Sequence, residues 1–348
     1  MGTYKKLIYK LLYFSGARIL ASIFLRHPYC SILAYHRICP LKDQDGLFKD
    51  MFTSPEIFQK QMGYLAQKHN IITLEELINA LLEGKTIKKN SVVITFDDGY
   101  EDNYQYALPI LKKYAFPATI FISTAYIETD RIFWWDRLAF LITNADRPKI
   151  SLKFRGNTLK LNLVGFKNKV HSFEKIAAII KGLSVLEGDE LLIGLESLLN
   201  ITKKANYPRM LSWGQLEEML NQDISVGAHT HSHGALSCLS KESFEQEMVL
   251  PRRILESKLK RKIEYIAYPY GEEKYINDSS IAMTKDAGYK AGLTNNQGVI
   301  FGNDDVFRLR RIGIGGDESI EVFKMKVQGA ISQLSWIKKM GKKSGYQN

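Results

Sequence analysis

Two short strings carry most of the chemistry this sequence can offer: Thr95-Phe96-Asp97-Asp98-Gly99 and His229-Thr230-His231-Ser232-His233. One carboxylate with two imidazoles makes a three-ligand site for a borderline cation such as zinc, with a fourth position open to water. The remaining carboxylate is then free to act as a base. A cation so held draws the pKa of water from ~15.7 towards ~7, and a peptide N–H beside it could steady an oxyanion. This is the equipment of a metal-dependent hydrolase. Each string alone has a plainer reading, because Asp-Asp-Gly is ordinary turn chemistry and clustered histidines can be incidental. The pair, each placed after an apolar run, points to a site.

The elements that must hold these strings follow from periodicity. Val92–Phe96 and Ile224–Ala228 read as buried strands that end at the two clusters, and Ser31–His36 reads as a third, ending in a histidine. Helices are expected over Pro55–Lys68, Leu74–Leu82, Glu101–Tyr114, Trp213–Leu220, Lys241–Lys258, Ser279–Ala287 and Ile320–Leu334. Further strands are expected at Pro117–Ser123, Tyr265–Tyr268, Ala291–Leu293 and Arg311–Ile314. Strand-then-helix repetition marks a parallel sheet or barrel. In a barrel, Asp97, Asp98, His229, His233 and His36 would share the rim at the strand C-termini. The rhythm breaks between about 129 and 210. That stretch contains Phe133-Trp134-Trp135-Asp136, a hairpin pattern over Ile150–Leu163 and helical patches at Phe173–Leu183 and Glu187–Leu199, and reads as an inserted lid or side wall.

Composition bounds the rest. The 348 residues are 45% hydrophobic and 24% charged, ordinary globular values that exclude wholesale disorder. Forty-eight Lys and Arg against 37 Asp and Glu give +11, which favours an anionic partner or simply a basic surface. No nucleic-acid-binding signature accompanies that charge, so nucleic acid is not an expected partner. Three scattered cysteines, Cys30, Cys39 and Cys238, fit a reducing compartment or core use. No run of 18 apolar residues spans a membrane. Residues 1–28 read as a basic amphipathic helix suited to an anionic membrane face or to packing on its own domain, and 337–348 as a basic tail. The resulting expectation is a cytoplasmic protein, peripheral at the inner membrane face, with one barrel over 29–336 interrupted at 129–210.

Thr95-Phe96-Asp97-Asp98-Gly99-Tyr100 resembles the first motif of the polysaccharide deacetylases, the NodB-homology or carbohydrate esterase family 4 enzymes. His229-Thr230-His231-Ser232-His233 resembles their second motif, and Tyr268-Pro269-Tyr270-Gly271 their third. The resemblance runs from about Ser31 to Ile314, outside the insertion. It implies a distorted (β/α) barrel that removes N-acetyl groups from amino sugars. Position by position, it makes Asp97 the catalytic base and Asp98, His229 and His233 the metal ligands. Tyr270 would hold the oxyanion through its backbone N–H. His231 falls at the variable position and reads as a neighbour of the metal or, less readily, a ligand. Zinc is the first expectation for the metal, with cobalt or nickel as alternatives.

Two positions depart from the family pattern. An arginine that orients the base is commonly found where this chain has Ala267, so Arg308, Arg310 or Arg311 would have to supply that charge. The late histidine that gives the general acid is missing, since none follows His233. A subgroup of the family resembles this chain in opening with a Tyr-His strand, which makes His36 the expected general acid; a core histidine is the alternative. Trp135, Tyr268, Pro269 and Arg311 are the expected substrate contacts, with the tryptophans equally suited to the insertion's core. The expected function is deacetylation of an amino sugar in a surface polysaccharide or its lipid-linked precursor. A deformylase or other non-peptide C–N hydrolase on the same fold, and a non-catalytic glycan-binding domain, are the alternatives.

Overall fold

The computed structural model describes residues 28–41, 46–199, 201–239, 241–316 and 318–330. The helix expected over 1–28 lies outside them except for its last residue, as does the tail 337–348. Among the described residues twelve strands run β1 (Cys30–Tyr35), β2 (Arg37–Ile38), β3 (Phe52–Thr53), β4 (Asn70–Ile71), β5 (Ser91–Phe96), β6 (Ala118–Ile122), β7 (Lys149–Phe154), β8 (Asn157–Asn162), β9 (Ile224–Ala228), β10 (Tyr265–Ala267), β11 (Ala291–Gln297) and β12 (Leu309–Gly313).

Seven of them close a parallel barrel in the order β1-β12-β11-β10-β9-β6-β5, with β5 returning to β1. The closing pair is in register along its whole length, from Cys30 opposite Ser91 to Tyr35 opposite Phe96. The other edge of β5 is divided: β4 takes Ser91 and Val92, and β6 takes Thr95 and Phe96. The first strand in sequence thus lies between the last strand and β5. Strands buried on both faces need near-continuous apolar sequence, and Cys30–Tyr35 and Ser91–Phe96 are buried at every residue.

Alternation along the strands sorts the core. Ile32, Val93, Phe121, Ala267, Leu293 and Leu309 form one cluster inside the barrel, closed at its lower end by Leu74, Leu77 and Ile78 of helix Leu74–Leu82. Leu33, Ile94, Ile120, Val226, Ile266 and Ile312 face the surrounding helices in another. Thr95 and Asp97 continue the inner set from Val93, and Arg311 continues it from Leu309. The period of two thereby carries an acid and a base inward near the top of the barrel.

Helices begin where capping residues allow. Ser54 caps Pro55–Lys68, and Thr73 with Glu76 and Ser212 with Gln215 form capping boxes on Leu74–Leu82 and Trp213–Leu220. These three helices have the bounds expected from sequence. Two others do not. Glu101–Tyr114 and Lys241–Lys258 each contain a π-helical turn, Asn103–Ala107 and Glu245–Val249, before helices Leu108–Tyr114 and Leu250–Leu259. The cause is shared. Pro109 and Pro251 follow those turns, and a proline inside a continuous α-helix lacks its N–H and collides with the carbonyl four residues back. Widening the preceding turn removes the collision, so Leu108 and Leu250 bond instead to the carbonyls of Asn103 and Glu245.

Residues 129–210 form helices Trp134–Thr143, Gly165–Ile180 and Val185–Leu199 around the antiparallel β7–β8 hairpin. They enclose a second hydrophobic cluster that includes Leu138, Ile142, Leu152, Phe173, Leu191 and Leu195. Tyr100 and Phe52 belong to that cluster and fix it to the barrel rim. The first of these helices is absent from the expectation, although Trp135, Leu138, Ala139 and Ile142 have helical spacing.

Candidate active site

His36 follows β1, Asp97 and Asp98 follow β5, His229 and His233 lie in the loop after β9, and Tyr270 follows β10. All leave the same ends of parallel strands and meet on one rim. Two of these loops turn in the same way. Gly99 N–H donates to Asp97 C=O (3.0 Å) around Asp98 at φ +75°, and Gly271 N–H donates to Pro269 C=O (2.7 Å) around Tyr270 at φ +60°. Thr230 and His233 are also left-handed, at φ +60° and +61°. Such backbone is costly for residues with a Cβ and concentrates at functional sites, where the surrounding structure enforces it.

Asp98, His229 and His233 are buried and bring one ligand atom each within 4.8 Å of one another. The Nε2 atoms of His229 and His233 lie 3.5 and 3.4 Å from Asp98 Oδ1. Neither Asp98 oxygen has a hydrogen-bond partner among the described residues. A buried carboxylate left without donors is expensive unless a cation engages it. His229 Nδ1 donates to the carbonyl of Ala267 (2.7 Å), which fixes the tautomer and turns Nε2 towards Asp98. The donor set therefore fits a divalent cation. Burial alone would drive the Asp98 carboxyl up, but the two imidazoles outweigh it and hold it far below the usual carboxylate range. Burial lowers the His233 imidazole, whereas the Asp97 and Asp98 charges overcome burial at His229 and raise it.

Asp97 is fully buried and gripped by Arg311, whose Nη1 and Nη2 donate to Oδ1 and Oδ2 at 2.7 Å each. Arg311 also donates from Nε to Thr294 C=O and from Nη1 to Thr95 Oγ1. Burial pushes the Asp97 carboxyl up, and the guanidinium charge overturns it, keeping Asp97 below its ordinary value. Of the three arginines open from sequence, Arg308 and Arg310 pair with Asp278 and Asp304. His36 Nε2 stands 3.9 Å from Asp97 Oδ2 on the side open to solvent.

His36, Asp97, Asp98, His229 and His233 line a cavity of about 190 Å³ whose other walls are Phe48, Met51, Trp134, Trp135, Lys181, Tyr270 and Asn295. Three of the expected substrate contacts lie elsewhere. Tyr268 is fully buried, its hydroxyl donating to Phe307 C=O, because its position on the outward-facing set turns it into the core. Pro269 is buried beneath the turn. Arg311 is sealed behind Asp97 and holds its carboxylate instead of facing the cavity. Trp135 does line the cavity, edge-on to His233 at 4.7 Å, while its Nε1 donates to the Tyr100 hydroxyl. Trp134 donates to the Tyr270 hydroxyl (2.9 Å) and also borders a larger cleft beside the site. His231 bonds Thr124 Oγ1 (2.8 Å) and is not among the clustered ligand atoms.

Two positioning residues escaped the sequence, and each sits in a π-helical turn. Asn103 Nδ2 donates to the carbonyls of His36 and Tyr100, tying the β1 and β5 loops together. Glu247 accepts from the Ser232 N–H (3.0 Å) and hydroxyl, clamping the histidine loop. No sequence signal marks either one, apart from the Leu-Pro pairs that create the turns. Lys181 and Asn295 were equally silent.

A parallel β/α barrel with a carboxylate–imidazole cluster and an arginine-held acid on its C-terminal rim has the layout of a hydrolase. The chain belongs to the polysaccharide deacetylase family, whose sequence pattern matches residues 84–292. Its enzyme class is accordingly a hydrolase of carbon–nitrogen bonds other than peptide bonds. It is 26% identical over 295 residues to the poly-beta-1,6-N-acetyl-D-glucosamine N-deacetylase of Staphylococcus epidermidis, covering 82% of this chain and 78% of that one. The deacetylase PplD of Streptococcus pyogenes, solved with acetate, superposes with a TM-score of 0.58 at 21% identity, over 86% of this chain and 98% of that one. IcaB from Ammonifex degensii gives a TM-score of 0.55 at 18% identity, over 86% and 97%. Those two likenesses bear on the fold.

Proposed function

We propose that this protein removes the N-acetyl group from N-acetylglucosamine units of a polysaccharide, with a divalent cation, zinc first among the candidates, held by Asp98, His229 and His233. The single observation that carries the reading is the donor-starved, buried Asp98 carboxylate facing two Nε2 atoms. A cation there would supply a Lewis acid to polarise the acetamide carbonyl. The chain's own residues do the rest. Asp97, kept ionised by Arg311, takes the proton of the attacking water. The Tyr270 N–H, presented by its left-handed turn, faces the oxyanion. His36, across from Asp97 at the open side, protonates the departing amine. Trp134 and Trp135 wall the cavity against water.

The relatives named for poly-β-1,6-N-acetyl-D-glucosamine support that polymer as the first substrate to assay. A lipid-linked precursor is the narrower form of the same reading, and rests on the +11 charge and on residues 1–28, of which all but the last lie outside the described residues. The test is metal content and acetate release from poly-β-1,6-N-acetylglucosamine, measured on the wild type and on His229→Ala. About one cation per chain, lost together with acetate release in the variant, is expected. A metal-free wild type that releases no acetate overturns the reading.

A further inference from the structure

Lys181, at the end of insertion helix Gly165–Ile180, stands in a wall shared by two spaces. On one side is the 190 Å³ cavity above Asp97 and Asp98. On the other is a groove of about 480 Å³ between the 46–49 loop and the insertion helix, bordered by Phe48, Lys49, Phe166, Phe173, Lys274 and Tyr275. That volume falls within the ~300–1,000 Å³ of small-molecule sites. The Lys181 ammonium lies 5.4 Å from the Tyr270 ring centre, and the Tyr270 and Tyr275 rings are 5.1 Å apart, so the two spaces adjoin across Phe48, Lys181 and these aromatics.

The charge of this groove is one-sided. Lys49, Lys181 and Lys274 line it against a single carboxylate among the described lining residues, Glu174, which is solvent-exposed. Lys274 has an ion pair with Glu272 (3.1 Å), and Lys49 stands 5.9 Å from the Phe166 ring centre. Among the described residues no ion pair engages Lys181. Its ammonium is half-buried and lies within the field of Lys274. Burial lowers the Lys181 pKa, Lys274 lowers it further and Glu272 opposes both. A half-buried cation with a like-charged neighbour is relieved by an anion. The aromatic border suits the C–H faces of a sugar.

We propose that this groove is a subsite for an anionic sugar, bearing phosphate or carboxylate, linked to the N-acetylated unit in the catalytic cavity, and that Lys181 is the residue that selects it. This rests on the deacetylase reading and favours an acidic glycan over the neutral poly-β-1,6-N-acetylglucosamine homopolymer.

Three probes test it: neutral chitotetraose, chitotetraose carrying one 6-phosphate, and a hyaluronan tetrasaccharide. Acetate release and tryptophan-fluorescence binding are measured for the wild type, Lys181→Met and Lys181→Arg. The expected result is an anionic-to-neutral ratio of kcat/KM that falls about 10-fold in Lys181→Met and is restored in Lys181→Arg. The binding preference should also weaken between low and high salt. A preference for the phosphorylated probe alone, or for hyaluronan alone, identifies the anion. A ratio unchanged in Lys181→Met, or a wild type that binds all three probes equally, overturns the proposal. If the wild type releases acetate from none of the probes and none from poly-β-1,6-N-acetylglucosamine, the deacetylase reading fails by itself, and the fluorescence ratios still decide the subsite.

Discussion

Arg311 on β12 and Asp97 at the end of β5 are 214 residues apart in sequence and meet in two parallel 2.7 Å hydrogen bonds inside the barrel. On β10, where the family resemblance leads one to expect an arginine, stands Ala267, whose side chain lies in the barrel interior and whose carbonyl receives His229. The guanidinium therefore comes from another strand and still meets both carboxylate oxygens. A fork-to-fork contact of this kind fixes direction as well as charge.

Replacing Arg311 with Met should lower kcat/KM by about 100-fold, the scale on which a misplaced catalytic group costs rate. Arg311→Lys should fall between, since a point charge cannot hold both oxygens. The pH profile separates charge from folding. Asp97 has a folded pKa below its ordinary value, so it stabilises the wild type above that ordinary value and loses the contribution as pH falls towards the folded one. Without Arg311 the burial that raises the carboxyl is opposed only by the charges of His229 and His36, and the acid limb of kcat/KM should move to higher pH. An acid limb that stays in place in Arg311→Met would rule out Arg311 as the partner that keeps the base ionised.

How far the sequence disclosed this site depends on the range of the interaction. Asp97, Asp98, His229 and His233 were legible because each pair lies within five residues, after an apolar strand whose type follows from local pattern. The strand holding Arg311 was legible too, but the choice among Arg308, Arg310 and Arg311 was not. It depends on which face of β12 points inward, and that parity follows from the register with β11, which shifts between Leu293 and Gln297. Tyr268 was misplaced for a similar reason of parity. The π-helical turns look like α-helix in any 3.6-residue pattern, so Asn103 and Glu247 could not be singled out. Lys181 reaches the cavity only through the fold of an insertion whose first helix the tryptophan string concealed.

His36 stands 3.9 Å from Asp97, with its Nδ1 buried and without a partner among the described residues. If it protonates the leaving amine, His36→Ala should lose about 10²–10⁴ in kcat on the acetamide, the range of general acid catalysis. The loss should be much smaller on 4-nitrophenyl acetate, whose leaving group departs without a proton. Equal losses on amide and ester would instead make His36 a structural support. Near-normal amide turnover in His36→Ala, with Asp97→Ala inactive, would remove it from the mechanism.

Glu247 is neither in the wall of the catalytic cavity nor among the clustered ligand atoms; its two bonds to Ser232 fix the loop that ends in His233. Partners of ligand-bearing loops typically govern metal affinity by 10–100-fold. Glu247→Ala should weaken zinc binding by about that factor, measured by competition with a chromogenic chelator. Glu247→Gln, which keeps one acceptor, should lose less. Affinity unchanged in both variants would mean that the loop holds its shape without the clamp.

Gly271 and Gly84 separate two costs that a glycine can conceal. Their φ values are nearly equal, +62° and +64°, so a Cβ imposes a similar backbone penalty at both, about 1–2 kcal/mol. At Gly84 the added carbon meets nothing within 4 Å, whereas at Gly271 it would stand 2.3 Å from the Asn295 backbone nitrogen. That nitrogen donates to the Gly271 carbonyl (2.8 Å), so the two segments cannot separate without breaking the bond that anchors the Tyr270 turn. Gly84→Ala should therefore lower the melting temperature modestly and leave acetate release intact. Gly271→Ala should lower it further and reduce kcat more than the stability loss explains, because the Tyr270 N–H is carried out of position. Matching kcat values in the two variants at a temperature where both are folded would sink the assignment of the oxyanion contact to that turn.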